Sequence, residues 1–211
     1  MDSDPKQEKK PRWDGWVFFS AGVVGALIVG WIVFPLILYS TQSQPLNYSH
    51  VKHGPDSSSG LECEECHFFY EDGTFSGIPG LDKCMECHDD PESLYTESPE
   101  ERKLFTDFID QGKEIPWLVY SRQPDNVFFP HVAHAKMAET ECTVCHGDFG
   151  TNDILPVYKV NRLTKYSIDI YGRNIAGYKK NSWDKMKMND CAKCHTEKGK
   201  EENNACFVCH K

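Results

Sequence analysis

Residues 191–210 read Cys191-Ala-Lys-Cys194-His195-Thr-Glu-Lys-Gly-Lys-Glu-Glu-Asn-Asn-Ala-Cys206-Phe-Val-Cys209-His210, with Cys-x-x-Cys-His at either end. The pattern occurs three more times, at Cys63-Glu-Glu-Cys66-His67, Cys84-Met-Glu-Cys87-His88 and Cys142-Thr-Val-Cys145-His146. These five copies use all ten cysteines of the 211-residue chain. The spacing is that of covalent haem attachment. Two thiols three positions apart each add to a vinyl group of one porphyrin, and the adjacent histidine lies beneath the iron as its proximal ligand. A Cys-x-x-Cys pair alone also suits half a zinc site or a redox dithiol, and ten cysteines in an exported chain also suit five disulfides. None of these needs a histidine after the second cysteine in every copy. The sequence therefore predicts five haem c groups, with His67, His88, His146, His195 and His210 as proximal ligands.

The chain changes character after its first forty residues. Trp16 to Tyr39 holds 24 residues and no charged side chain. At about 1.5 Å per residue this crosses a hydrocarbon core of about 30 Å with some tilt. Lys6, Lys9, Lys10 and Arg12 all precede it, and basic flanks stay in the cytoplasm. The orientation puts the haem motifs on the periplasmic side of the inner membrane, where c-type haem is attached. The apolar stretch exceeds a signal-peptide core and no small-x-small cleavage site follows it, so an uncleaved single-pass anchor is expected. Gly22, Ala26 and Gly30 lie four apart, a spacing that admits a second membrane helix, although glycine is common in membrane helices generally.

Beyond Tyr39, roughly 170 residues serve five motifs, too few to wrap each haem in its own apolar core. The haems themselves must then supply much of the core and pack closely. The expected fold is mostly α and irregular: a transmembrane helix, then short helices around the motifs joined by Pro-, Gly-, Asp- and Asn-bearing loops. The organisation read from the chain is a cytoplasmic segment at 1–15, an anchor at 16–39, a two-haem module with linker at 40–124, and a three-haem module at 125–211 carrying a basic insertion at 157–188.

Four of the nine histidines are not proximal. They form two pairs, Tyr48-Ser-His50-Val-Lys-His53 and Phe129-Pro-His131-Val-Ala-His134, each ahead of a haem motif. An i, i+3 spacing puts both rings near one face of a helical turn, from which they reach two different haems. Four distal histidines leave one of five irons without one. Met137, Met186 and Met188 precede haem motifs and offer thioether sulfur, which raises a haem's potential relative to a second histidine. Ordinary packing is the alternative for each methionine, and an open iron is the alternative for the haem.

An aromatic-x-His-x-x-His stretch ahead of an attachment motif resembles the class III cytochromes c, and the chain looks like two such modules in tandem. The resemblance implies that His50 caps the Cys63/Cys66 haem and His131 the Cys142/Cys145 haem, while His53 and His134 cap others, His134 being assigned to Cys191/Cys194. One anchor, five motifs and two His-x-x-His pairs together resemble the multihaem cytochrome c subunits of the menaquinone reductase (Qrc) and alternative complex III family. That family implies partners: a quinone-binding membrane subunit, molybdopterin-like and iron–sulfur subunits, and a basic periplasmic tetrahaem cytochrome c. It implies a relay subunit of an oxidoreductase complex, not catalytic on its own, in menaquinone-linked sulfate respiration. The menaquinone reductase branch carries six haems; with five motifs here, a sixth would bind without thioether bonds.

Charge is segregated. Leu61–Asp110 has fifteen Asp or Glu against Lys83, Arg102 and Lys103, whereas Val157–Met188 has eight Lys or Arg against Asp169 and Asp184. An acidic haem module attracts a basic redox partner, or merely keeps the surface soluble. The basic stretch carries Tyr158, Tyr166, Tyr171, Tyr178 and Trp183 but no cysteine, and is too long for a turn between haems. Two other function classes remain open from sequence: a stand-alone quinol dehydrogenase cytochrome, and a haem enzyme with an open iron, which usually carries a Cys-x-x-Cys-Lys motif that is absent here.

Denatured protein should carry five covalent haems by mass spectrometry. Replacing both cysteines of one motif with alanine should lower the mass by one haem.

Overall fold

Asp14–Leu38 is helical without a break in the computed structural model, which describes residues 14–90, 98–165 and 181–210. The basic flank (Lys6, Lys9, Lys10, Arg12) lies outside the described residues, as does the middle of the basic insertion with Tyr166, Tyr171 and Tyr178. The chain divides into two units, Met1–Ser40 and Thr41–Lys211.

In the first unit, helix α1 (Asp14–Ile28) runs through a wide π-turn at Val29–Val33 into α2 (Phe34–Leu38). Pro35 explains the turn. It has no N–H to donate, and its ring would crowd the carbonyl four residues back. The ladder widens just before it, so that the Phe34 N–H reaches the Val29 carbonyl. Gly15–Leu38 is 24 residues long and apolar enough to cross a membrane, and none of its most apolar stretch is buried. The helix is apolar all round, with Trp16, Phe18 and Trp31 among its exposed side chains, as expected of a lipid-facing span. It stops at Leu38, one residue before the sequence-derived limit, because Tyr39 turns extended. Gly22 and Ala26 lie in α1 but Gly30 falls in the wide turn. A Cβ added at Gly22 or Gly30 would meet no atom within 4 Å.

The second unit is assembled from short helices. They are α3 (His50–His53), α4 (Cys63–Cys66), α5 (Leu81–Met85), α6 (Pro99–Leu104), α7 (Cys142–His146), α8 (Met188–Glu197) and α9 (Cys206–Cys209). Each Cys-x-x-Cys motif begins on one of α4, α5, α7, α8 or α9, as the sequence reading expects. Helices of one or two turns are marginal alone, so local caps and tertiary ties hold them. Ser49 caps α3 by accepting the Lys52 N–H at 3.2 Å. At α4, Glu62 and Glu65 form a reciprocal capping box. The only sheet among the described residues pairs β1 (Tyr39–Gln42) with β2 (Tyr158–Asn161).

The apolar core of side chains is small. Leu46, Leu81, Leu104, Phe108 and Ile115 are buried together, with Cys84, Ile109 and Trp117 against them. A second, aromatic group joins Tyr120, Phe149, Tyr158 and Trp183 with ring centroids 5.4 Å apart. Residues from the two sequence halves knit together. The Ser49 hydroxyl donates to Asp153 Oδ1 at 2.6 Å and the His50 N–H to the Asn152 carbonyl at 2.8 Å; within the second half, the Phe128 N–H donates to the Cys209 carbonyl at 2.7 Å.

Gly147, directly after His146, has φ +58° and ψ −137°, a region open essentially to glycine alone. A Cβ there would lie 2.5 Å from the Ser182 carbonyl carbon. The missing side chain lets the segment carrying Trp183 close over α7. Gly147→Ala should therefore destabilise the haem domain by about 2 kcal/mol or more, read as a lower midpoint in guanidinium denaturation. An alanine protein with wild-type stability would contradict this close approach.

Candidate haem-binding site

The nine histidines come from short elements with little freedom of their own, and hydrogen bonds at Nδ1 orient most of the rings. Nδ1 lies 2.8 Å from the Ser49 carbonyl in His53, 2.6 Å from the Gly77 carbonyl in His67, and 2.7 Å from Glu101 Oε1 in His88. In His134 it lies 3.0 Å from the Pro130 carbonyl, and in His195 3.0 Å from Asn204 Oδ1. Every one of these partners is an oxygen that only accepts, so Nδ1 carries the proton and Nε2 is left with its lone pair. That is the tautomer required of a metal ligand, with the orienting bond that such ligands have.

Three pairs of rings then face each other across a gap. His53 and His88 have centroids 6.2 Å apart, His131 and His146 6.5 Å, and His134 and His195 6.3 Å. The His131 and His146 rings are within 7° of parallel. An imidazole nitrogen binds a first-row metal at about 2 Å, which with the half-width of each ring sets centroids about 6 Å apart. The three gaps therefore fit an iron between two imidazoles. His50 has His67 and His53 as neighbours: burial pushes its pKa down to about 4, and these two rings add to the effect. Burial likewise lowers His131 and His146, favouring the neutral form that ligates. Among the described residues no histidine ring contact is recorded for His210, whose backbone instead bridges to Val127. Met137 and Met188 are largely exposed, at 79% and 72%, and Met186 is half-buried. None of the three is brought against His210 by a recorded contact.

The two His-x-x-His pairs are built alike. Tyr48 stacks on His53 (4.6 Å, 22°) and stands edge-on to His50 (4.9 Å, 82°). Phe129 stacks on His134 (4.4 Å, 23°) and stands edge-on to His131 (4.9 Å, 88°). The aromatic two places before the first histidine thus fixes both rings of each pair. Phe75, which the sequence reading does not single out, joins the two groups. A tight hairpin with a Phe69–Phe75 bridge brings its ring to 4.2 Å from His131 and 6.5 Å from His67, tilted 20° and 22° from them. Gly77 follows, and its φ of +70° aims its carbonyl at His67.

The thiols report which motifs adjoin. Burial pushes up the pKa of Cys66, Cys84, Cys142, Cys145 and Cys191, and at each a cysteine of another motif adds to the shift. These neighbours are Cys87 for Cys66, Cys66 for Cys84, Cys63 for Cys142, Cys194 for Cys145, and both Cys145 and Cys209 for Cys191. In space the motifs therefore follow the order second, first, third, fourth, fifth. The one cysteine left, Cys206, opens α9.

Repeated thiol pairs beside oriented imidazoles, set in a fold with little core of its own, define a multihaem cytochrome c. No family model matches the chain. It is 38% identical over 223 aligned residues, covering 100% of this chain and 97% of the relative, to the multihaem cytochrome c subunit of menaquinone reductase from Nitratidesulfovibrio vulgaris strain Hildenborough. The chain belongs to this family of multihaem cytochrome c subunits.

Ser49 is the cap of α3, the ligand to Asp153 and the carbonyl on His53. Ser49→Ala keeps the carbonyl but loses the cap, and should cost about 1–2 kcal/mol. Thermal unfolding checks this, with Ser49→Thr expected to retain most of the stability.

Proposed function

We propose that this chain is a membrane-anchored pentahaem cytochrome c that relays electrons between a periplasmic cytochrome c and the other subunits of a menaquinone reductase-type complex. The observation that carries the reading is the three facing imidazole pairs at 6.2–6.5 Å. When bound, the haems supply one-electron exchange between ferric and ferrous iron. The protein's part is to hold and space them. The thiols of each motif fix one porphyrin, and the proximal histidines His67, His88, His146, His195 and His210 fix one side of each iron. His50 is assigned opposite His67, His53 opposite His88, His131 opposite His146, and His134 opposite His195. His210 keeps a different partner, for which Met137, Met186 and Met188 are the candidates, or a group from outside the chain.

Each His-x-x-His turn holds ligands of two haems on one short element, so neighbouring irons are kept at fixed spacing. This supports two class III-like modules in tandem, joined through Phe75. A sixth haem, if present as in the menaquinone reductase branch, is held without thioethers. The membrane helix tethers the haem unit at the periplasmic face, beside a quinone-binding subunit and the molybdopterin-like and iron–sulfur subunits. Glu62, Asp89 and Asp90, exposed around the first two motifs, offer negative charge to a basic tetrahaem cytochrome.

Four irons should be low-spin bis-histidine by electron paramagnetic resonance. His53→Ala, His131→Ala or His134→Ala should each turn one of them high-spin, and unchanged spin states in all three would overturn the ligand assignment. Neutralising Glu62, Asp89 and Asp90 together should slow reduction by a basic cytochrome at low ionic strength, and added salt should slow the wild type in the same way. A wild-type rate independent of salt would remove the acidic face as the docking surface. Gentle purification should bring membrane and iron–sulfur subunits along; a chain that purifies alone and oxidises quinol would instead be a stand-alone dehydrogenase.

A further inference from the structure

Four of the five recorded Nδ1 acceptors are neutral: three backbone carbonyls and the Asn204 side-chain amide. The fifth is the Glu101 carboxylate, 2.7 Å from His88 Nδ1. Its side chain is 9% exposed and that of His88 is 24% exposed, so solvent screens the contact little. The position of Glu101 is well determined. Helix α6 opens with Pro99, and Leu104, near its end, is buried in the small core, as are Phe105 and Phe108 in the turn that follows. The neighbouring Glu100 carboxylate accepts the Asn47 N–H at 3.2 Å.

We propose that Glu101 is a potential-setting residue: through His88 it makes the iron held at Cys84/Cys87 the hardest of the bis-histidine set to reduce. The inference rests on the reading of His88 and His53 as an axial pair. A carboxylate accepts a stronger hydrogen bond than a carbonyl. It draws the Nδ1 proton away and makes Nε2 a better electron donor to the metal. Adding one electron removes one unit of positive charge from the iron, so a fixed negative charge next to its ligand favours the oxidised state. The second motif stands at one end of that spatial order, with Cys66 of the first motif beside Cys84 and His53, on the same turn as His50, facing His88. The centre with the lowest potential therefore occupies an end of the series, within the acidic segment, and an electron delivered there by a strongly reducing soluble carrier runs downhill to the other centres.

The test is a redox titration of the full-length holoprotein with mediators and dithionite, followed in parallel by electron paramagnetic resonance. Glu101→Gln keeps the shape and an accepting oxygen but removes the charge. One centre should become easier to reduce, its ferric-to-ferrous ratio at fixed ambient potential falling about tenfold, which is ~59 mV for one electron. The other centres should titrate as in the wild type. The low-spin signal of that centre should also shift its g-values, as a weaker-donating imidazole requires, whereas a purely structural role would lower stability without moving either. A Glu101→Gln titration that superposes on the wild type, with all low-spin signals intact, overturns the proposal. If His53→Ala leaves every low-spin signal in place, the axial pair itself is wrong and the underlying reading falls with it. Glu101→Ala, which removes charge and acceptor together, should shift the same centre at least as far; a shift spread over several centres also overturns the proposal.

Discussion

Three pairs of imidazole rings face each other across gaps that fit an iron, and the second unit is organised around holding them there. Rings 6.2–6.5 Å apart are too widely spaced to pack directly against each other. The rings must be held from behind, which is why the hydrogen bonds at Nδ1 and the stacked aromatics matter more here than a conventional core. Tyr48 and Phe129 each steady two rings at once, and Phe75 steadies one from each sequence half. With five apolar residues in the main buried cluster among the described residues, side-chain packing there is a weak source of stability, and bound cofactors would complete it.

Holding ligands from behind also gives each centre an individual environment. Gly77, Ser49 and Pro130 present backbone carbonyls, Asn204 an amide and Glu101 a carboxylate. The five motifs repeat the same cysteine and histidine groups, so such second partners, with exposure and the residues between the cysteines, set the sites apart. His210 is set apart in a further way: its motif is tied to Val127 and Phe128 by backbone bonds, not to a recorded histidine ring.

The five Cys-x-x-Cys-His motifs and both His-x-x-His pairs are legible as patterns in the sequence because each is local: a handful of residues carries the whole signal. The membrane helix is legible for the same reason, since a run of uncharged residues needs no tertiary context. Even its wide turn follows from Pro35. What escapes the sequence is contributed from afar. Glu101 reaches His88 across 13 residues, Asp148 meets Ser182 across 34, and Asp153 meets Ser49 across 104. Phe75 looks like one more apolar residue in a loop until the hairpin folds it between two rings. The hydrogen bonds that join residues 47–50 to 152–155 are likewise invisible in the sequence.

The buried thiols have a consequence for biogenesis. A thiol reacts chiefly as its thiolate, and burial raises the pKa of Cys66, Cys84, Cys142, Cys145 and Cys191 in the closed fold. A chain that collapsed before receiving its haems would blunt its own cysteines and shut the attachment machinery out. Maturation is thus a race between cofactor loading and closure.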